Sequence, residues 1–314
     1  MTLNKTVSNI HTHHHDHHHV PQDFNKAFIV GILLNSGFII AEVIYGLHAN
    51  SLALLTEAGH NASDVIGLFI AWGAILLSKR KASERFSFGL QSTSIISALL
   101  NAILLLLVTG ALGWESIQRF YSPSPVSETT VITISTIGIF VNGITALLFM
   151  PGRKKDLNIR GAFLHMAGDA LISFGIILSA LLMLKTGWLW IDPLVSFTIS
   201  IIIMLSTWGL LKDSFNLSLH ATPKEIDPCK VRAYLNKLDG VKEVHDLHIW
   251  AISTTNVALS AHLLIPGGHP GDHFIKEITH TLKHDFQIDH CTLQIELDDS
   301  DSKCIRRKNQ QCTP

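Results

Sequence analysis

Six apolar stretches, roughly 27–47, 52–78, 90–119, 127–150, 160–185 and 188–211, dominate this chain of 314 residues. About 20 consecutive apolar residues suffice to cross the hydrocarbon core of a bilayer, and each stretch approaches or exceeds that length. Backbone groups in hydrocarbon must satisfy one another, so such stretches are constrained to be helices. The breaks are turn-rich or charged: Ala49-Asn50-Ser51, residues 79–85, 121–125 and 151–156, and Lys185-Thr186-Gly187. A hydrophobic share of 47% against 16% charged residues excludes both an ordinary soluble enzyme and a disordered chain.

An even number of spans puts both ends on one side, and basic loop residues say which. Lys79, Arg80, Lys81 and Arg85 follow the second span, and Arg153, Lys154, Lys155 and Arg160 follow the fourth. Lys26 and Lys212 flank the bundle on that same side, whereas the opposite loops hold only Arg119 and Lys185. Both termini are therefore expected in the cytoplasm. With 24 basic residues against 25 acidic ones, no global positive field gathers nucleic acid, and none is expected as a partner. The four cysteines show no paired framework, which suits a reduced setting.

Four parts follow: a His-rich segment at 1–25, a six-helix membrane domain at 26–212, a small domain at 213–298, and a polar tail at 299–314 expected to be disordered. Within the small domain the spacing predicts a helix over Val231 to Leu238, strands over Val241 to Ser253 and Val257 to Ile265, a helix over Gly271 to Phe286, and a strand over Cys291 to Leu297. The order αββαβ predicts helices on one face of a small sheet, an α+β domain.

The second span contains His60-Asn61-Ala62-Ser63-Asp64 and the fifth His165-Met166-Ala167-Gly168-Asp169. Both read His-x-x-x-Asp, which sets an imidazole and a carboxylate one turn apart on one helix face. One such pair is as well explained by a polar contact between helices as by a ligand pair. Two copies in two spans are harder to explain that way, because each ionisable residue costs about 2.5–3.5 kcal/mol to insert. Two carboxylates and two neutral imidazoles neutralise a divalent cation, and that donor set suits tetrahedral Zn2+. Ala58, Gly59, Ala167 and Gly168 let the two helices approach. Glu42, Asn101, Asn142 and Asp192 are expected to be hydrogen-bonding partners between helices, with Asp192-Pro193 also marking the start of the sixth span.

The paired motifs, Ser51-Leu52-Ala53-Leu54-Leu55 ahead of the first, Ile191-Asp192-Pro193, and Val244-His245-Asp246-Leu247-His248-Ile249-Trp250 together resemble the zinc-transporting branch of the cation diffusion facilitator family over nearly the whole chain. The resemblance implies that His60, Asp64, His165 and Asp169 form a transport site. It also implies a homodimer that exchanges cytoplasmic Zn2+ for protons, with His at the first motif position favouring zinc over cadmium. The small domain resembles the family's metallochaperone-like cytoplasmic domain. By that resemblance His245, His262, His273 and Glu296 hold a regulatory zinc, although Gln294 stands where some relatives have His. The short loops resemble those of bacterial members, which implies an inner membrane.

Protons compete with metal for these atoms, since imidazole titrates near pH 6.5 and a metal needs the neutral ring. Some family members hold a further metal ion after the second span; residues 84–89 here have no His or Cys, and no site is expected there. Seven of the nineteen histidines lie between His11 and His19, a tract expected to collect Zn2+ weakly. His269, His280, His284 and His290 are expected to face solvent. A membrane metallohydrolase is disfavoured because no His-Glu-x-x-His occurs and no further intramembrane carboxylate is expected beside the site as a base. A zinc sensor lacks any element to receive its signal. Within the transporter class, Co2+, Cd2+, Ni2+ and Fe2+ are the competing cargoes.

Overall fold

The computed structural model describes residues 22–150 and 157–297. The His-rich tract up to residue 21, the basic residues of 151–156 and the tail fall outside the described residues. Six long helices come first: α1 (Gln22–Ala49), α2 (Leu52–Ser78), α3 (Thr93–Tyr121), α4 (Glu128–Phe149), α5 (Leu157–Thr186) and α6 (Ile191–Ser218). Five of them are long and apolar enough to cross a membrane, and Leu33–Ala49 is a shorter apolar stretch within α1.

Local chemistry sets the ends of the helix that carries the first motif. The Ser51 hydroxyl oxygen accepts from the Leu54 N–H at 3.2 Å and so caps α2. Ser51 Oγ in turn donates to Asp192 Oδ1 at 2.5 Å, and the Leu52 and Ala53 N–H groups donate to the same carboxylate at 2.7 and 3.4 Å. A carboxylate from α6 thus sits at the positive end of the α2 dipole and pins that helix end. A hydroxyl chain continues the join, with Thr56 bonded to Ser196 and Ser196 to Ser116, each at 2.7 Å, linking α2, α6 and α3. These are hydrogen bonds between helices of the kind expected where apolar faces alone give no reason to associate.

The third helix begins at Thr93, later than the expected 90, because the preceding loop folds back on itself. Gly89 has φ +68°, and a Cβ there would lie 2.8 Å from the Arg80 carbonyl, so only glycine fits.

The small domain has the expected order: α7 (Pro228–Asn236), β1 (Glu243–Ala251), β2 (Val257–Leu264), α8 (Asp272–Phe286) and β3 (His290–Glu296). The sheet runs β1-β2-β3, antiparallel then parallel. Val244, Leu247, Ile249, Leu259, Ala261 and Leu263 form a core with Val231 and Leu235 of α7 and Ile278 and Leu282 of α8. Both helices therefore cover one face of the sheet, and the alternation leaves His245 and His262 on the other. Cys291 keeps a free thiol.

The domain docks on the bundle through the β1–β2 hairpin. Asn256 Nδ2 donates to Gln91 Oε1 at 2.8 Å, Ser92 Oγ donates to the Ile252 carbonyl at 3.0 Å, and the Thr254 N–H donates to Ser94 Oγ at 3.1 Å. The Phe88 ring meets His290 edge-on at 5.5 Å.

Candidate metal centre

The two His-x-x-x-Asp faces meet across α2 and α5. His60 Nε2 lies 3.6 Å from Asp64 Oδ2 on its own helix and 3.9 Å from Asp169 Oδ1 on the other. His165 Nε2 lies 3.2 Å from Asp64 Oδ2 and 3.7 Å from Asp169 Oδ2. A tetrahedral ion with donors at 2.0–2.1 Å has edges of about 3.3–3.4 Å between donors, close to all four separations. The four sequence-derived residues therefore face one another across two helices, each contributing one turn, although Asp64 stands outside the tightest group. Donor atoms of His60, His165 and Asp169 lie within 4.8 Å of one another.

Access to the four is uneven. Side-chain exposure is 43% for His165 and 29% for Asp64, but 15% for His60 and 5% for Asp169. The two open donors are those nearer the end of α2 that leads to residues 79–92 and the end of α5 that begins at Leu157. Toward the opposite end the site is closed by two carboxyl groups, Glu42 on α1 and Glu57 on α2, both fully buried. Asn61 Nδ2 donates to Glu42 Oε2 at 3.3 Å, and the Ser173 hydroxyl, one turn beyond Asp169, donates to Glu57 Oε1. The remaining oxygens, Glu42 Oε1 and Glu57 Oε2, are buried without a hydrogen-bond partner among the described residues.

These carboxyls overturn the expectation that no further intramembrane carboxylate stands beside the site. The signal was present in the sequence, since Glu57, His60 and Asp64 are spaced i, i+3, i+7 on one face. Asp192 and Glu42 make contacts between helices as expected. The Asn101 side chain instead lies over Gly67, where a Cβ would come within 2.3 Å of its Oδ1.

A second cluster lies on the open face of the sheet. His245 Nε2 is 3.0 Å from Glu296 Oε2, and His262 Nδ1 is 2.9 Å from Glu296 Oε1. His245 pairs with His262 across the strands, and a bulge between His245 and His248 turns Asp246 (φ +50°) onto the same face, 3.6 Å from His262 Nε2. Gln294, opposite His262 in register, donates to Glu296 Oε1 at 3.1 Å. His273 is not in this group; it is exposed in the first turn of α8. Asp246 is the residue the sequence reading missed, because a bulge is invisible to alternation.

Residues 28–217 match the family described as the cation efflux transmembrane domain, and residues 223–298 match the cation efflux protein cytoplasmic domain. The chain belongs to the cation efflux family. The resemblance to cation diffusion facilitators read from the motifs is thereby borne out, and the protein is a metal cation efflux transporter and not an enzyme.

Among relatives of this cation efflux protein, the "Cadmium, cobalt and zinc/H(+)-K(+) antiporter" of Bacillus subtilis is 36% identical, covering 90% of this chain and 92% of its own. The "Zinc transporter ZitB" of Escherichia coli is 35% identical, covering 91% and 92%. The "Metal cation efflux system protein CzcD" of Cupriavidus metallidurans is 33% identical, covering 91% and 90%. A solved structure, the metal-bound C-terminal domain of that organism's CzcD transporter, is 33% identical and covers 23% of this chain and all of its own, with a TM-score of 0.22.

Proposed function

We propose that this efflux protein exports Zn2+ from the cytoplasm in exchange for protons, as a homodimer in a bacterial inner membrane with both termini cytoplasmic. The observation that carries the reading is the set of four His-to-carboxylate separations, 3.2–3.9 Å, two of them within a helix and two between α2 and α5. Two carboxylates cancel the charge of a divalent ion, so the loaded site crosses the low-dielectric bundle without net charge at its ligands.

The exposed donors Asp64 and His165 receive the ion from the cytoplasmic side, and the closed side holds the buried Glu42–Glu57 pair. Export then requires the site to open at the other end, by movement of the ligand-bearing helices against the rest of the bundle. Protons arriving from the more acidic exterior occupy imidazole and carboxylate atoms and displace the ion. Metal affinity thus falls as pH falls through the imidazole range, because only the neutral ring is a ligand. The cluster of His245, His262 and Glu296 holds a regulatory ion, with His273 outside that set in the single chain.

The name of the Bacillus subtilis relative favours a second reading, a broader cargo that includes Cd2+ and Co2+. Zn2+ uptake into proteoliposomes, with and without an imposed pH gradient and with Cd2+ and Co2+ as competitors, separates the two. Gradient-driven flux that is lost in Asp169→Ala supports the proposal. Flux that survives the substitution moves the pathway elsewhere, and equal competition by Cd2+ selects the broader cargo.

A further inference from the structure

We propose that the outer face of α8 carries a separate surface site for a divalent transition-metal ion, chelated by His280 and His284 with Glu277 beside them. Residues 277, 280 and 284 are spaced i, i+3, i+7, so at 100° per residue they fall within about 60° of one line along the helix. All three are exposed, while Ile278 and Leu282 on the opposite side are buried in the domain core. The stripe therefore faces away from the sheet, and the sheet itself stands between it and the cluster of His245, His262 and Glu296. One ion cannot serve both.

The two imidazoles are already gathered. Their ring centroids are 4.3 Å apart with a 38° angle between planes. The corresponding separations are 5.8 Å for His60 and His165 and 5.3 Å for His245 and His262, so the α8 pair is the tightest of the three. Two histidines at i, i+4 on one helix face are a preformed bidentate chelate for a zinc-like ion. The pair sits in the last two turns, where the helix dipole attracts a cation. Lys283, between them in sequence, is drawn toward Asp289 at 3.9 Å. Lys276, exposed one turn before His280, is a neighbouring cation on the stripe that opposes binding. Water completes the coordination shell, and Glu277 supplies the negative charge that two neutral imidazoles lack.

The test uses the full chain in detergent, Zn2+ alone as probe, and carbethoxylation of each histidine followed by mass spectrometry. Zn2+ is expected to slow modification of His280 and His284 together, over one concentration range. Removing one ligand costs more than about tenfold in affinity, so in His284→Ala the Zn2+ needed to protect His280 rises by at least that factor. Both positions are exposed, so folding is not at stake, and in His280→Ala with His284→Ala the Zn2+ response of His245 and His262 is expected to be unchanged. The proposal is overturned if a large molar excess of Zn2+ leaves His280 and His284 unprotected. It is equally overturned if His284→Ala leaves the protection of His280 where it was, or if the double variant alters the response at His245 and His262.

Discussion

At the scale of the residue, the proposed metal centre depends on four side chains whose neighbours are as telling as they are. Glu57 accepts from the Ser173 hydroxyl and sits one turn from His60, so its buried carboxyl stands beside the ligand set. Glu57→Gln keeps the shape and an acceptor for Ser173 but cannot ionise. The variant is expected to bind Zn2+ within severalfold of the parent while its transport responds less to an imposed pH gradient; an unaltered gradient response would remove Glu57 from proton movement. Cys291 offers a prediction in the small domain. Burial pushes its thiol up to about 11, because the thiolate loses solvation. Folded Cys291 should therefore alkylate slowly at pH 8 and accelerate only as pH climbs toward that value, read peptide by peptide against the denatured chain. Rapid labelling at pH 8 would contradict the burial.

At the scale of the element, periodicity made most of the architecture legible. The apolar runs, the αββαβ order and the paired His-x-x-x-Asp faces are all properties of spacing, and spacing is what sequence displays. Contacts between elements were not legible. Glu42 meets Asn61 from another helix, Asp246 is re-aimed by a bulge, and the hairpin finds Gln91 across 165 positions. The Asp192 carboxylate at the start of α2 lay between the two kinds: the residue was marked as a partner, but not which helix it would cap. Its removal leaves the Leu52 and Ala53 N–H groups buried without an acceptor. Asp192→Ala is expected to destabilise the bundle by about 2 kcal/mol, the cost of a lost cap with charged hydrogen bonds, and Asp192→Asn by less. Thermal unfolding of the detergent-solubilised protein measures both, and equal melting temperatures for parent and Asp192→Ala would refute the role.

At the scale of the whole molecule, the bundle and the small domain are joined by hydrogen bonds from a hairpin tip to the start of α3 and the two residues before it. Three of these bonds involve Gln91, Ser92 and Ser94, and one protects a backbone amide, that of Thr254. Gln91→Ala combined with Asn256→Ala should loosen the tip. Hydrogen exchange at Thr254 is expected to speed up by about tenfold, for a loss near 1.4 kcal/mol, within reach of one or two hydrogen bonds. Exchange that stays as slow as in the parent would mean that docking rests on other contacts, such as Phe88 against His290.

The carboxylate that holds the start of α2 also makes that end a pivot. Asp64 lies twelve residues along the helix from Leu52, a lever arm of about 18 Å at 1.5 Å per residue. A swing of about 10° around the pinned end carries Asp64 through about 3 Å, nearly a full edge of the tetrahedron, while His60, closer to the fulcrum, travels about two-thirds as far. The same rotation would therefore pull the α2 donors away from those of α5 unequally, and an ion held by all four, as proposed, would part first from the ligand farthest from the hinge.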